Sequence, residues 1–232
     1  MIAVLLALAL AQNASCLERA AARADLFDLP GALEVLETTQ ATTCADAAVA
    51  VPYLRGLIAA RRAYPEGGSP ESLQPVKEAI AALEQQGAAF PGRAQIAVLV
   101  LRAAAAAAQS ERDEMALYID QALRVETLQL AAAQPPAPVV SAHEAAGALW
   151  LQVHRFEEAR SAYDLAIAKV GSNPRLLVGL ARSAARLQDP RACSVYAVLL
   201  AQWGWIPGES AELSEARAYV GGVACQSTPI AR

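Results

Sequence analysis

The chain holds only two histidines, and the first of them opens the stretch His143-Glu144-Ala145-Ala146-Gly147. A zinc helix of the HExxH type needs a second imidazole four residues on, so that both nitrogens share one helical face with the glutamate between them as base. Gly147 stands at that position, so no metal pair is expected. His154 falls in a turn between helices, which leaves a nucleophile–imidazole set almost no base to draw on. The double glycines at 67–68 and 221–222 lack the further glycines and the lysine of a phosphate-cradling loop. The adjacent carboxylates Asp113-Glu114 and Glu157-Glu158 sit at helix starts, where the positive end of the helix dipole favours negative charge without any acid–base role. These residues predict no catalytic set, no metal and no cofactor, and so a protein that is not an enzyme.

Cysteine is the other reactive type. Cys16, Cys44, Cys193 and Cys225 form no CxxC and no Cys/His spacing that fits zinc, and an even count suits disulfides in an exported protein. Cys16 lies as far before Pro30 as Cys44 lies after it, so an antiparallel helical hairpin turning near Pro30 brings the two side by side. Cys193 and Cys225 are likewise symmetric about Glu209. The expected pairs are Cys16 with Cys44 and Cys193 with Cys225, each clipping one end of the fold.

Export is read from the start of the chain, MIAVLLALALAQNAS, with an apolar run from Ile2 to Ala11 and small residues at Ala9 and Ala11. The run is well short of the ~20 residues that span a bilayer. It predicts a signal peptide at 1–11, a helical repeat domain at 12–222 and a tail at 223–232, although no Lys or Arg precedes the run. A Cys soon after a leader also admits lipidation at Cys16, in an envelope-anchored protein; Asn13 stands where such a signal wants a Leu-like residue, and lipidation would leave an odd number of cysteines. The favoured location is periplasmic or secreted, in a bacterium: the basic residues are nearly all Arg and alanine abounds, as in a GC-rich genome. A net charge of −4 offers no global attraction for nucleic acid or an anionic membrane surface. The one other long apolar stretch, QIAVLVLRAAAAAA, carries Arg102 and is only weakly hydrophobic in its alanine half, so no transmembrane span is expected.

The elements that would position any site are helices. Hydrophobic residues make up 55% of the chain but aromatics only 5%, a balance of Ala, Leu and Val that favours closely packed helices. Punctuation by Pro and Gly pairs them. The pairs run 14–27 with 30–42, 46–63 with about 71–86, and 91–109 with 114–133. After a Pro-rich break at QPPAPVV come 143–153 with 156–170 and 174–187 with 190–203, and last a single helix from about Glu209 to Val220. In that helix Leu213, Ala216 and Val220 recur at three and four and read as the covering face, with Glu209, Glu212, Glu215 and Arg217 as polar surface.

The last two pairs share a register. Gly147, Trp150, Phe156 and Ala159 have counterparts 34 residues on in Ala181, Ala184, Pro190 and Cys193, and 34 is a period of stacked helical hairpins. Gly147-x-x-Trp150, the turn HRFEEA, then Ala159-x-x-x-Tyr163-x-x-Ala166 resemble the tetratricopeptide repeat family, as motif over about residues 141–203 and as architecture over most of the chain. The resemblance implies an all-α fold, a right-handed α-solenoid of about five stacked hairpins with a C-terminal capping helix. It implies a non-catalytic scaffold that binds a protein or peptide in a concave groove lined by the first helix of each hairpin. Matching the register places Arg175, Val178, Arg182 and Arg186 there, with Leu151 and Glu144 from the preceding repeat and Tyr53 and Leu57 from the second. The three arginines make one end of that groove basic and suit a partner with an acidic segment. The Lys and Asn set with which some members of the family clamp a peptide C-terminus is absent from these positions.

Peptide mapping of the oxidised protein is expected to recover Cys16 linked to Cys44 and Cys193 linked to Cys225. A bridge from Cys16 to Cys193 or Cys225 would contradict the hairpin arrangement.

Overall fold

A computed structural model describes residues 15–38, 44, 46–133, 139–204, 210–222 and 225. Among them the protein is all-α, as its composition predicts, with helices α1 (Cys16–Asp25), α2 (Leu29–Thr38), α3 (Ala47–Ala63), α4 (Gln74–Gln85), α5 (Pro91–Ala108), α6 (Arg112–Ala131), α7 (Ala142–Gln152), α8 (Phe156–Val170), α9 (Pro174–Arg186), α10 (Arg191–Trp203) and α11 (Ala211–Gly221). The leader at 1–11 and most of the tail at 223–232 lie outside the described residues, as does Glu209. The chain divides into two compact units. One takes the described residues up to Ala24 with Asp28–Ala142, and the other takes Asp25–Phe27 with the described residues from His143 onward. The division falls just after the Pro-rich break.

Local chemistry fixes where several helices start. Ser15 and Glu18 form a reciprocal capping box on α1, the Ser15 N–H donating to Glu18 Oε2 at 2.6 Å and the Glu18 N–H to Ser15 Oγ at 3.2 Å. Asp28 accepts from the Gly31 N–H at 2.8 Å at the start of α2, Asn173 from the Leu176 N–H at 2.9 Å on α9, and Ser210 from the Leu213 N–H at 3.2 Å on α11.

One turn recurs between paired helices. Phe27, Gly67, Ser110, His154 and Gln188 all adopt left-handed φ, between 57° and 73°. The N–H of each following residue reaches back five positions: Asp28 to Arg23, Gly68 to Ala63, Glu111 to Ala106, Arg155 to Trp150 and Asp189 to Ala184. This bond satisfies a carbonyl at the end of the preceding helix and offsets the ~1–2 kcal/mol that a left-handed non-glycine residue costs. His154 and Gln188, which hold this turn after α7 and after α9, are 34 residues apart.

In the first unit α3 packs on α2, α4 and α5, while α5 packs on α4 and α6. Helix α5 is buried nearly all round, from Ala94 through Ile96, Leu99 and Leu101 to Ala107, so its sequence carries no polar face and no readable register. Gly56 lets α3 approach it: a Cβ there would sit 2.5 Å from Leu101 Cδ1. Cys16 and Cys44 are disulfide-bonded with their Cα atoms 5.9 Å apart.

In the second unit α9 packs on α8 and α10, and α11 on α10. Ala159, Tyr163 and Ala166 of α8 form a buried cluster with Leu176 and Leu180 of α9, with Trp150 half-buried against it. Small residues and an aromatic thus interleave because the ring of Tyr163 needs gaps in two neighbouring helices. A Cβ on Gly147 of α7 would lie 2.7 Å from the ring, and one on Gly179 of α9 would run into its Cζ and Oη. Farther along, Leu213 and Ala216 of α11 cover Val178, Tyr196 and Leu199, and Cys193 is bonded to Cys225 at a Cα distance of 5.5 Å.

Replacing Gly179 by Ala forces the Tyr163 ring and α9 apart, and stability measured by denaturant titration should fall by about 1–3 kcal/mol, as overpacking of a tight core does. An unchanged midpoint would show that the ring is not wedged between these helices.

A candidate binding cleft in the second unit

The arginines of α9 share one face by spacing, but burial sorts them into three different roles. Arg175, at the helix start, has a side chain only 11% exposed. Its Nε and Nη2 donate to the two oxygens of Glu144 at 2.5 and 3.0 Å, and its Nη1 donates to Asp25 at 2.7 Å. Glu144 is itself buried, and burial pushes the Asp25 carboxyl above its ordinary range against the opposing pull of Arg175. Arg175 therefore neutralises two carboxylates inside the unit and is not a groove residue.

Arg182 stands two turns on. It grips Glu215 of α11 in a fork, Nε to both carboxylate oxygens at 3.1 and 3.0 Å and Nη2 to Oε2 at 2.6 Å, while Tyr196 Oη donates to Oε1 at 2.5 Å. Burial pushes the Glu215 carboxyl up, but the hydrogen bonds from Arg182 and Tyr196 outweigh it and hold the group below its usual range. Burial, then the Glu215 hydrogen bond, raises the Tyr196 hydroxyl, which stays a donor. Glu215, expected as polar surface of the terminal helix, is thus an anchored acceptor.

Arg186, at the end of α9, is exposed and lies over the ring of Phe156, 4.9 Å from its centroid. Among the described residues no carboxylate pairs with it. Arg182, Arg186, Leu151, Phe156, Tyr196 and Tyr219 line a cleft of about 350 Å³. Three of the expected partner-binding residues, Arg182, Arg186 and Leu151, therefore come together.

The others do not. Val178 is 3% exposed and lies in the core under α11. Tyr53 and Leu57 are core residues of the first unit, and the Tyr53 hydroxyl donates to the Val140 carbonyl at 3.0 Å. All three were placed in the groove by helical register alone, and register does not reveal which neighbouring helix covers a face. Phe156, by contrast, was read only as a repeat-motif residue and also serves the cleft.

The first unit carries a cleft of its own, about 500 Å³, between Leu33 of α2, Ile58 and Arg62 of α3, and Pro75 of α4, with the Arg55–Glu37 ion pair at 2.8 Å on its rim. No three His, Cys, Asp or Glu side chains are grouped to hold a metal among the described residues, and no described helix is long and apolar enough to cross a membrane. No family model, no curated protein and no solved structure matches the chain.

Removing the Arg175 side chain takes away the guanidinium that donates to Glu144 and Asp25. Arg175→Ala should lower stability by about 3–5 kcal/mol, the loss typical when one partner of a buried ion pair is deleted. A loss below 1 kcal/mol in denaturant titration would return Arg175 to the groove in which the repeat register placed it.

Proposed function

We propose that the chain is a non-catalytic, exported scaffold of the tetratricopeptide-like kind, a right-handed α-solenoid of about five hairpins ending in the cap α11. In this reading it binds a protein or peptide partner with an acidic segment at the cleft of the second unit. The observation that carries the binding part is Arg186: an exposed guanidinium, laid over Phe156 beside Leu151 and Tyr219, with no acidic partner among the described residues in an acidic chain. An aromatic floor next to an uncompensated cation suits a segment that mixes carboxylates with apolar side chains. The scaffold part is supported by the turn repeated in the same form between paired helices and by the 34-residue spacing of His154 and Gln188. Export is supported by the two disulfides, which persist in oxidising compartments.

The second reading, an envelope component anchored by a lipid on Cys16, has a specific obstacle: Cys16 is bonded to Cys44, and no described cysteine is free.

Arg186→Glu tests the binding site. The change is on the surface and should move stability by no more than about 0.5 kcal/mol. It should sharply reduce the partners captured from native periplasm by the tagged protein, most of all at low salt, where unscreened repulsion is strongest. A variant that retained every co-purifying partner would remove the cleft from consideration.

A further inference from the structure

We propose that Glu215 is an internal occupant of a carboxylate seat, and that a partner segment binds by displacing it from Arg182. The inference rests on the reading that this cleft receives an acidic segment, and it says what already sits there. The Arg182 fork and the Tyr196 hydroxyl converge on one carboxylate with four contacts between 2.5 and 3.1 Å, the donor set a guest carboxylate would require.

The cap does not depend on that contact. Helix α11 is held by Leu213 and Ala216 in the core, by the Cys193–Cys225 bond and by the Arg217 side chain donating to the Gly204 carbonyl at 3.0 Å. Exposure separates this pair from the structural one. The side chains of Arg182 and Glu215 are 39% and 36% exposed, whereas those of Arg175 and Glu144 are 11% and 8%, so solvent and a guest reach the former and not the latter.

Arg186 supplies the entry point. It follows Arg182 by one helical turn, about 6 Å, in the same cleft. A guest carboxylate lands on Arg186, and a second one takes Arg182 from Glu215. The ligand class is therefore a di-acidic segment with an apolar or aromatic side chain to lay against Leu151 and Tyr219. Because Glu215 is tethered through α11 and the disulfide, it competes at high effective concentration and attenuates binding until it is displaced.

The test uses the full mature chain and a synthetic peptide, blocked at both ends, with two glutamates flanked by phenylalanines; its glutamine counterpart is the control. Calorimetry gives affinity, and the Nε–Hε resonances of Arg182 and Arg186 report each guanidinium. Glu215→Gln keeps the side-chain shape and removes the competing charge, and it should bind the glutamate peptide at least about fivefold more tightly than wild type. At saturation of the wild type, both arginine resonances should shift. If Arg186→Gln weakens binding while Glu215→Gln leaves it unchanged or weaker, the displacement is wrong and the binding cleft stands. If neither wild type nor Glu215→Gln prefers the glutamate peptide over its control, the cleft reading fails and the displacement with it. Should Glu215→Gln loosen α11, the wild-type titration decides: an Arg182 resonance unmoved at saturation overturns the proposal.

Discussion

Tyr163 is the side chain on which the second unit is built. It leaves α8 and fills gaps in two other helices, at Gly147 of α7 and Gly179 of α9, where even a methyl group would collide with the ring. A ring of that size buried against two glycines fixes the distance and angle at which three helices meet, since packed interiors tolerate neither a void nor an extra methylene without cost. Helix α9 carries Arg175, Arg182 and Arg186, so the position of the ring sets where each guanidinium lands. Phe156, on the same helix as Tyr163, receives Arg186.

Burial then decides what each charge does. At 11% exposure Arg175 cannot be left unpaired, and it neutralises Glu144 and Asp25. Arg182 sits at the boundary and takes Glu215 from the cap, an interaction strong enough to hold that carboxyl below its usual range yet open to solvent. Arg186 is outside and leans on an aromatic face. Three residues of one type, in one stripe, thus grade from buried ion pair to exposed guanidinium over twelve residues of helix. In the turn after α9, Asp189 gathers Arg160 and Arg191 into a network of ion pairs that links α8 to the start of α10.

Much of the fold was legible because helix ends announce themselves. The Pro and Gly punctuation put helix starts at Pro91 and Pro174 and a turn just before Pro30, and the helices lie within a few positions of where those signals put them. The cysteine pairs were legible because a hairpin makes sequence symmetry into proximity. What failed was information that lives in the partner helix. Helix α5 has no amphipathic period because it is buried nearly all round, and Val178, Tyr53 and Leu57 looked like groove residues because the register cannot show what packs over them. The left-handed turns at Phe27, Ser110, His154 and Gln188 have no glycine or asparagine to betray them. The Arg175–Asp25 contact spans 150 positions and leaves no local trace. Gly179 did leave one: a glycine inside a helix costs about 1 kcal/mol relative to alanine and calls for a packing reason.

The claim that one ring sets the approach of three helices, and through them the shape of the cleft, is tested most directly by nuclear Overhauser contacts from the Tyr163 ring protons. Each glycine places an α-hydrogen where a side chain would otherwise strike the ring, so strong contacts are predicted to the α-protons of both Gly147 and Gly179. Contacts to only one of them, or to neither, would contradict the account.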